Sequence, residues 1–146
     1  MLALAGVAFV VGAVVAANRS ASPADLLAGR FVSAWTRGDF ATMYSDIDAA
    51  SQRSTSPSAM AGLYRDALTT ATASLLQVTG HPRAAADGLV TVPVRVRTRL
   101  FGSLSLGFTM KIVESGSEGA RVEWSRSLEF PGLRAGELLK RRTTLP

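Results

Sequence analysis

At about residue 72 the hydrophobic period of this chain changes. Before that point apolar side chains recur at helical spacing, and after it they alternate every second residue. A chain of 146 residues fits one domain of ordinary size with a short appendage. Helical segments grouped first and alternating strands afterwards make that domain α+β, with about three helices packed on one face of a curved antiparallel sheet of about four strands. Ser22 with Pro23 at the first helical position opens a helix in which Leu26, Leu27, Phe31, Val32 and Trp35 share one broad face. Gly38-Asp39 breaks and recaps the chain, and Phe40, Met43, Tyr44 and Ile47 repeat in a second, short helix. Residues 48–58, rich in Ser, Thr and Ala, read as a loop. Ser58, or Ser56 with Pro57, caps a third helix to about Thr70, with Met60, Leu63, Tyr64, Ala67 and Leu68 inward.

In the second half, Leu76 and Val78 belong to a first strand that ends at Gly80-His81-Pro82. Val90, Val92, Val94 and Val96 alternate with Thr91, Pro93, Arg95 and Arg97, giving one apolar and one basic face. Pro93 places this strand at an edge or a bulge. After a tight connection at Phe101-Gly102-Ser103, Leu104, Leu106, Phe108, Met110 and Ile112 alternate with small or polar residues. A turn at residues 115–119 leads to a last strand with Ala120, Val122 and Trp124 inward.

The first seventeen residues, MLALAGVAFVVGAVVAA, carry no charge. As a helix they would span about 25 Å, close to the hydrocarbon thickness of a bilayer. Residues 1–19 are therefore expected to be a transmembrane anchor or a cleaved export signal, residues 20–128 the folded domain, and 129–146 a linker. The expected location is the extracytoplasmic face of a cell membrane, or secretion if the segment is cleaved. Without cysteine there is no disulfide, thiolate metal site or cysteine nucleophile, and a lone histidine, His81, is poor material for a metal centre. No cofactor and no metal site are expected.

Three stretches carry a resemblance. Phe31-Val32-Ser33-Ala34-Trp35-Thr36-Arg37-Gly38-Asp39-Phe40, then Val122-Glu123-Trp124-Ser125-Arg126-Ser127-Leu128, then Phe130-Pro131-Gly132-Leu133-Arg134-Ala135-Gly136-Glu137 together resemble the N-terminal non-catalytic domain of MecA-type penicillin-binding proteins. The resemblance covers roughly residues 25–146 and implies a cone-shaped fold like that of nuclear transport factor two. It further implies a bacterial cell-wall protein whose chain continues through a linker into a transpeptidase domain that synthesises peptidoglycan and binds penicillin. These residues hold none of that chemistry. Such an enzyme needs Ser-x-x-Lys, Ser-x-Asn and Lys-Thr-Gly motifs. The residues three before Lys111 and Lys140 are Phe108 and Glu137, and the one asparagine is Asn18. The expected role is a spacer or allosteric platform, with the downstream transpeptidase domain and the membrane as partners. The alternatives are a free-standing binding domain of the same fold and a small isomerase or dehydratase.

The last alternative requires acid-base residues in the cone, for which Tyr44, Asp46, Asp48, Tyr64 and His81 are the candidates. The aromatic set Phe31, Trp35, Phe108 and Trp124 reads as core, with a ligand-lining role as the minority view. Trp124, Phe130, Pro131 and Leu133 are the candidate domain interface, because in the resembled family this stretch leads into the next domain. Residues 74–146 carry 11 basic and 6 acidic groups, against 5 and 5 in residues 1–73. Arg95, Arg97 and Arg99, with Lys111 and Arg121 expected across from them, are candidate contacts for an anionic polymer of the cell wall. A solvated face relieved by Glu114 and Glu123 is the plainer reading. Nucleic acid is not expected, since no aromatic residues interleave with the arginines. Lys140-Arg141-Arg142 reads as a solvated basic linker.

Overall fold

The computed structural model describes residues 21–144. Among them, helices α1 (Pro23–Thr36), α2 (Phe40–Asp46), α3 (Ala49–Ser54) and α4 (Pro57–Thr70) precede strands β1 (Ala73–Val78), β2 (Arg83–Ala84), β3 (Leu89–Thr98), β4 (Ser103–Glu114) and β5 (Ala120–Glu123). The expected anchor at residues 1–19 lies outside the described residues. Among those described, no helix is long and apolar enough to cross a membrane.

The helix starts follow their capping chemistry. Ser22 and Asp25 cap α1 reciprocally, Asp39 accepts from the Thr42 backbone N–H at 3.2 Å to start α2, and Ser56 accepts from Ala59 N at 3.1 Å to start α4 behind Pro57. The expected loop at residues 48–58 instead contains α3. Asp48 caps it by accepting from Ser51 N at 3.0 Å, and the Tyr44 hydroxyl donates to the Gln52 and Thr55 carbonyls at 3.1 and 2.9 Å. Six residues cannot hold a helix alone. Tertiary bonds hold this one, and composition does not report them. Leu26, expected on the buried face of α1, is 64% exposed: it shares the outward face with Arg30 one turn on, while its neighbour Leu27 is buried.

The sheet is antiparallel with strand order β1-β3-β4-β5, and β2 adds to the same edge of β3 as β1. Pro93 therefore stands in a central strand, where an edge or a bulge was expected. Its carbonyl accepts from Thr79 N at 2.9 Å just past the end of β1, and its nitrogen, on the same side, returns no bond to Thr79, so the β1 ladder stops there. Gly80 makes room for its ring: a Cβ there would stand 2.8 Å from Pro93 Cγ. The far edge of the sheet is closed by the α2–α3 junction, where Ile47 bridges Val122 and the Asp48 N–H donates to the Val122 carbonyl at 2.9 Å.

One face of the sheet, Val90, Val92, Val94, Val96, Phe108, Met110 and Val122, meets Phe31, Val32, Trp35, Met43, Met60 and Tyr64 from the helices. The interior between helices and sheet is filled. The Phe108 ring stands edge-on to Phe31 and Trp35, with centroids 6.2 and 5.1 Å apart, and Tyr64 stacks on Phe40 at 5.6 Å. Packing continues past Leu128 through Glu129, Phe130 and Pro131, so the folded body extends beyond the expected boundary at residue 128.

Candidate functional site

The residues proposed for acid-base work in the cone all have structural partners or lie outside it. Asp46, 2% exposed at the last turn of α2, is paired with the Arg30 guanidinium from α1, whose Nε donates to Oδ2 at 3.0 Å and whose NH2 donates to Oδ1. The hydrogen bond to Asp46 and the carboxylate's charge raise the Arg30 pKa, which holds the guanidinium charged. Asp48 is committed to its cap, Tyr44 to two carbonyls, and His81 is exposed beyond β1. Tyr64 is fully buried, and its hydroxyl accepts from Trp124 Nε1 at 3.0 Å. Burial pushes its phenol above the ordinary tyrosine range, which keeps it protonated and unfit as a base at neutral pH. Among the described residues no group of three or more His, Cys, Asp or Glu is placed to hold a metal ion.

A polar latch that sequence reasoning missed joins α3 to the last strand. The Ser51 hydroxyl donates to the Trp124 carbonyl at 3.3 Å and accepts from the Trp124 N–H at 3.0 Å, satisfying both main-chain groups of one residue in a buried place. Trp124 is thereby held by its backbone through Ser51 and by its indole through Tyr64. A serine in a Ser- and Ala-rich segment gives no sign of such a role.

The C-terminal stretch behaves differently from its expected interface role. Trp124 is 8% exposed and Phe130 4%, Pro131 is buried, and all three dock onto this domain's own body. Leu133 alone of the four retains partial exposure. The apolar spacing of Phe130-Pro131-Gly132-Leu133 identified a docking segment, and the surface it docks on is internal.

On the other face of the sheet, Arg95 stands between Gln77 of β1 and Ser105 of β4, and Arg97 between Leu75 and Ser103. Arg99 follows in the β3–β4 connection, and all three are exposed. Lys111 and Arg121 are not across from them. Lys111 lies opposite Leu89 and pairs with Glu123 at 3.5 Å, while Arg121 lies opposite Val113 and pairs with Glu118 at 3.8 Å. Glu114 is opposite Ala120. The relief expected from Glu114 and Glu123 thus falls at the other end of the sheet, leaving Arg95 and Arg97 flanked by neutral residues.

The fold and the matched sequence family agree. Residues 23–137 match the family described as the NTF2-like N-terminal transpeptidase domain. The chain belongs to this family. No curated protein matches the chain. The match begins at the first residue of α1 and runs through Glu137, so this transpeptidase-associated domain includes every helix and strand described above and the docked segment at Phe130 and Pro131.

Proposed function

We propose that this NTF2-like domain is the non-catalytic, extracytoplasmic platform of a penicillin-binding transpeptidase, tethered to the membrane by residues 1–19 and working in peptidoglycan synthesis. The family match over residues 23–137 carries the reading. The filled cone supports its non-catalytic part: Phe31, Trp35, Tyr64 and Phe108 occupy the space a substrate would need, and Asp46 and Asp48 are spent on an ion pair and a cap. An isomerase or dehydratase of this architecture needs a pocket with a free acid or base. The fold alone decides no function, since the same architecture serves enzymes and binding modules. Contact with an anionic wall polymer belongs on the outer sheet face, where Arg95 and Arg97 have neutral neighbours.

The test is to express the gene with whatever follows the codon for Pro146, fractionate the membranes and label them with a fluorescent penicillin. A membrane-bound labelled band whose downstream sequence holds a Ser-x-x-Lys motif supports the reading. A reading frame that stops at Pro146, with no labelled band, overturns it in favour of a free-standing binding domain.

A further inference from the structure

The chain enters and leaves this domain at opposite ends. Helix α1, about 21 Å long at 1.5 Å per residue, runs counter to β1. A Cβ on Gly29 would stand 3.7 Å from Pro82, beyond the end of β1, while Trp35 and Thr36 in the last turn border Ala73–Leu76 at its beginning. Ser22, where the chain enters, therefore lies at the Pro82 end. The opposite end gathers the close of α4, the tip of the β3–β4 hairpin and the departing C-terminal residues. Leu139, Lys140 and Arg141 lie beside Thr69 and Thr70, and Thr72 accepts from Arg99 N through its carbonyl at 3.0 Å and from Leu100 N through its hydroxyl at 3.2 Å.

The hairpin tip is held rigidly. The Gly102 carbonyl accepts from both the Thr98 N–H and the Thr98 hydroxyl at 2.8 Å, and that hydroxyl accepts from Phe101 N at 2.8 Å. Thr72, which braces the tip, sits at φ +55°, a left-handed conformation that is strained for a β-branched residue. What this frame presents to water is apolar: Leu100 is 65% exposed and Phe101 50% exposed, with Leu138 at 46% on the departing segment. Hairpin tips are ordinarily polar. Arg97 and Arg99 precede the tip in the chain, Lys140 and Arg141 lie beside Thr69 and Thr70, and none of the ion pairs among the described residues includes them.

We propose that Leu100 and Phe101 are the anchor of the interface with the domain that follows this one, inserting into an apolar recess rimmed by carboxylates. The proposal rests on the reading that a transpeptidase part follows in the chain. Because the chain departs beside the tip, a domain tethered there is held at high effective concentration against it. An apolar centre with basic residues beside it selects the complementary surface. Trp124, Phe130 and Pro131, being internal, hold the departing segment in place and leave the contact to the tip.

The experiment uses the full-length protein in membranes, with the photo-crosslinking residue benzoylphenylalanine at position 101, or at position 26 as an exposed apolar control at the far end. Crosslinked peptides from beyond residue 146 at position 101 and not at position 26 support the interface. Crosslinks confined to residues 21–144, or to another protein, or equal from both positions, overturn it. Penicillin labelling of the same preparation separates the two ideas: a labelled protein without the crosslink removes the interface and keeps the reading, and an unlabelled one with no following domain removes both. In a second arm, the double variant Leu100→Ser and Phe101→Ser frees the departing segment, so proteolysis just after Arg142 in the full-length protein accelerates severalfold. An unchanged rate contradicts the proposal.

Discussion

Removing one oxygen atom tests whether the cone is a closed core. In Tyr64→Phe the ring keeps its stack on Phe40, but Trp124 Nε1 loses the hydroxyl it donates to at 3.0 Å. The indole is left in a buried place without an acceptor, at a cost of about 1–3 kcal/mol. For a domain of this size each kcal/mol lowers Tm by about 4 °C, so the variant melts about 4–12 °C below the parent. A pH dependence follows from the same burial. The folded state holds the Tyr64 proton above the ordinary value of 10.0, while the unfolded state releases it near that value. The contribution is therefore complete below about pH 10 and is lost above it, by up to about 1.4 kcal/mol per pH unit. The variant lacks this term, so the gap between the two proteins closes within one to two pH units above 10. Urea unfolding followed by tryptophan fluorescence, at pH 7 and from pH 9 to 12, reads both effects. Equal midpoints at pH 7 together with parallel pH curves would refute the reasoning: the phenol would then be hydrated and the cone open enough for Tyr64 to act as an acid.

Three further outcomes are expected. Ser51→Ala strips both main-chain partners from Trp124 and lowers the urea-derived stability by about 1–3 kcal/mol, whereas Ser54→Ala, on the exposed side of α3, stays within about 0.5 kcal/mol. Arg30→Ala leaves the Asp46 carboxylate buried and alone. It costs about 1–2 kcal/mol, less than a fully buried pair because Arg30 is 57% exposed, and a double-mutant cycle with Asp46→Asn recovers part of it. Arg95→Glu with Arg97→Glu leaves the unfolding midpoint within about 0.5 kcal/mol but abolishes salt-sensitive retention on a phosphate-rich polymer column. Equal retention of parent and variant assigns polymer contact elsewhere.

The period change at residue 72 located the boundary between helices and sheet because each periodicity records which side chains must be buried. The caps at Ser22 and Asp39 were legible for the same local reason, a side-chain oxygen next to a free N–H needing no distant partner, and of the two candidates Ser58 and Ser56 the cap of α4 is Ser56. Helix α3 was not legible, since its stability comes from Tyr44 and from Trp124, the latter 73 residues away from Ser51. Pro93 misled because the rule against central-strand proline assumes an unbroken neighbour, and here β1 stops where the missing N–H would have pointed. At the candidate site, Phe130 and Pro131 announced a docking segment by being apolar in a Pro-Gly stretch, while the identity of the surface they cover depends on the fold. The Arg95 and Arg97 face was readable by alternation. The displacement of Lys111 and Arg121 to the far end was not, because register between strands is set by turn length and packing together.

We propose that this domain is the platform of a transpeptidase. The most direct measurement is fluorescent-penicillin labelling of membranes that carry the intact gene product, beside the same product with the serine of its downstream Ser-x-x-Lys motif changed to alanine. One labelled membrane band is expected that contains residues 21–144 and vanishes in the serine variant. A gene product that ends at Pro146 and takes up no label would contradict it.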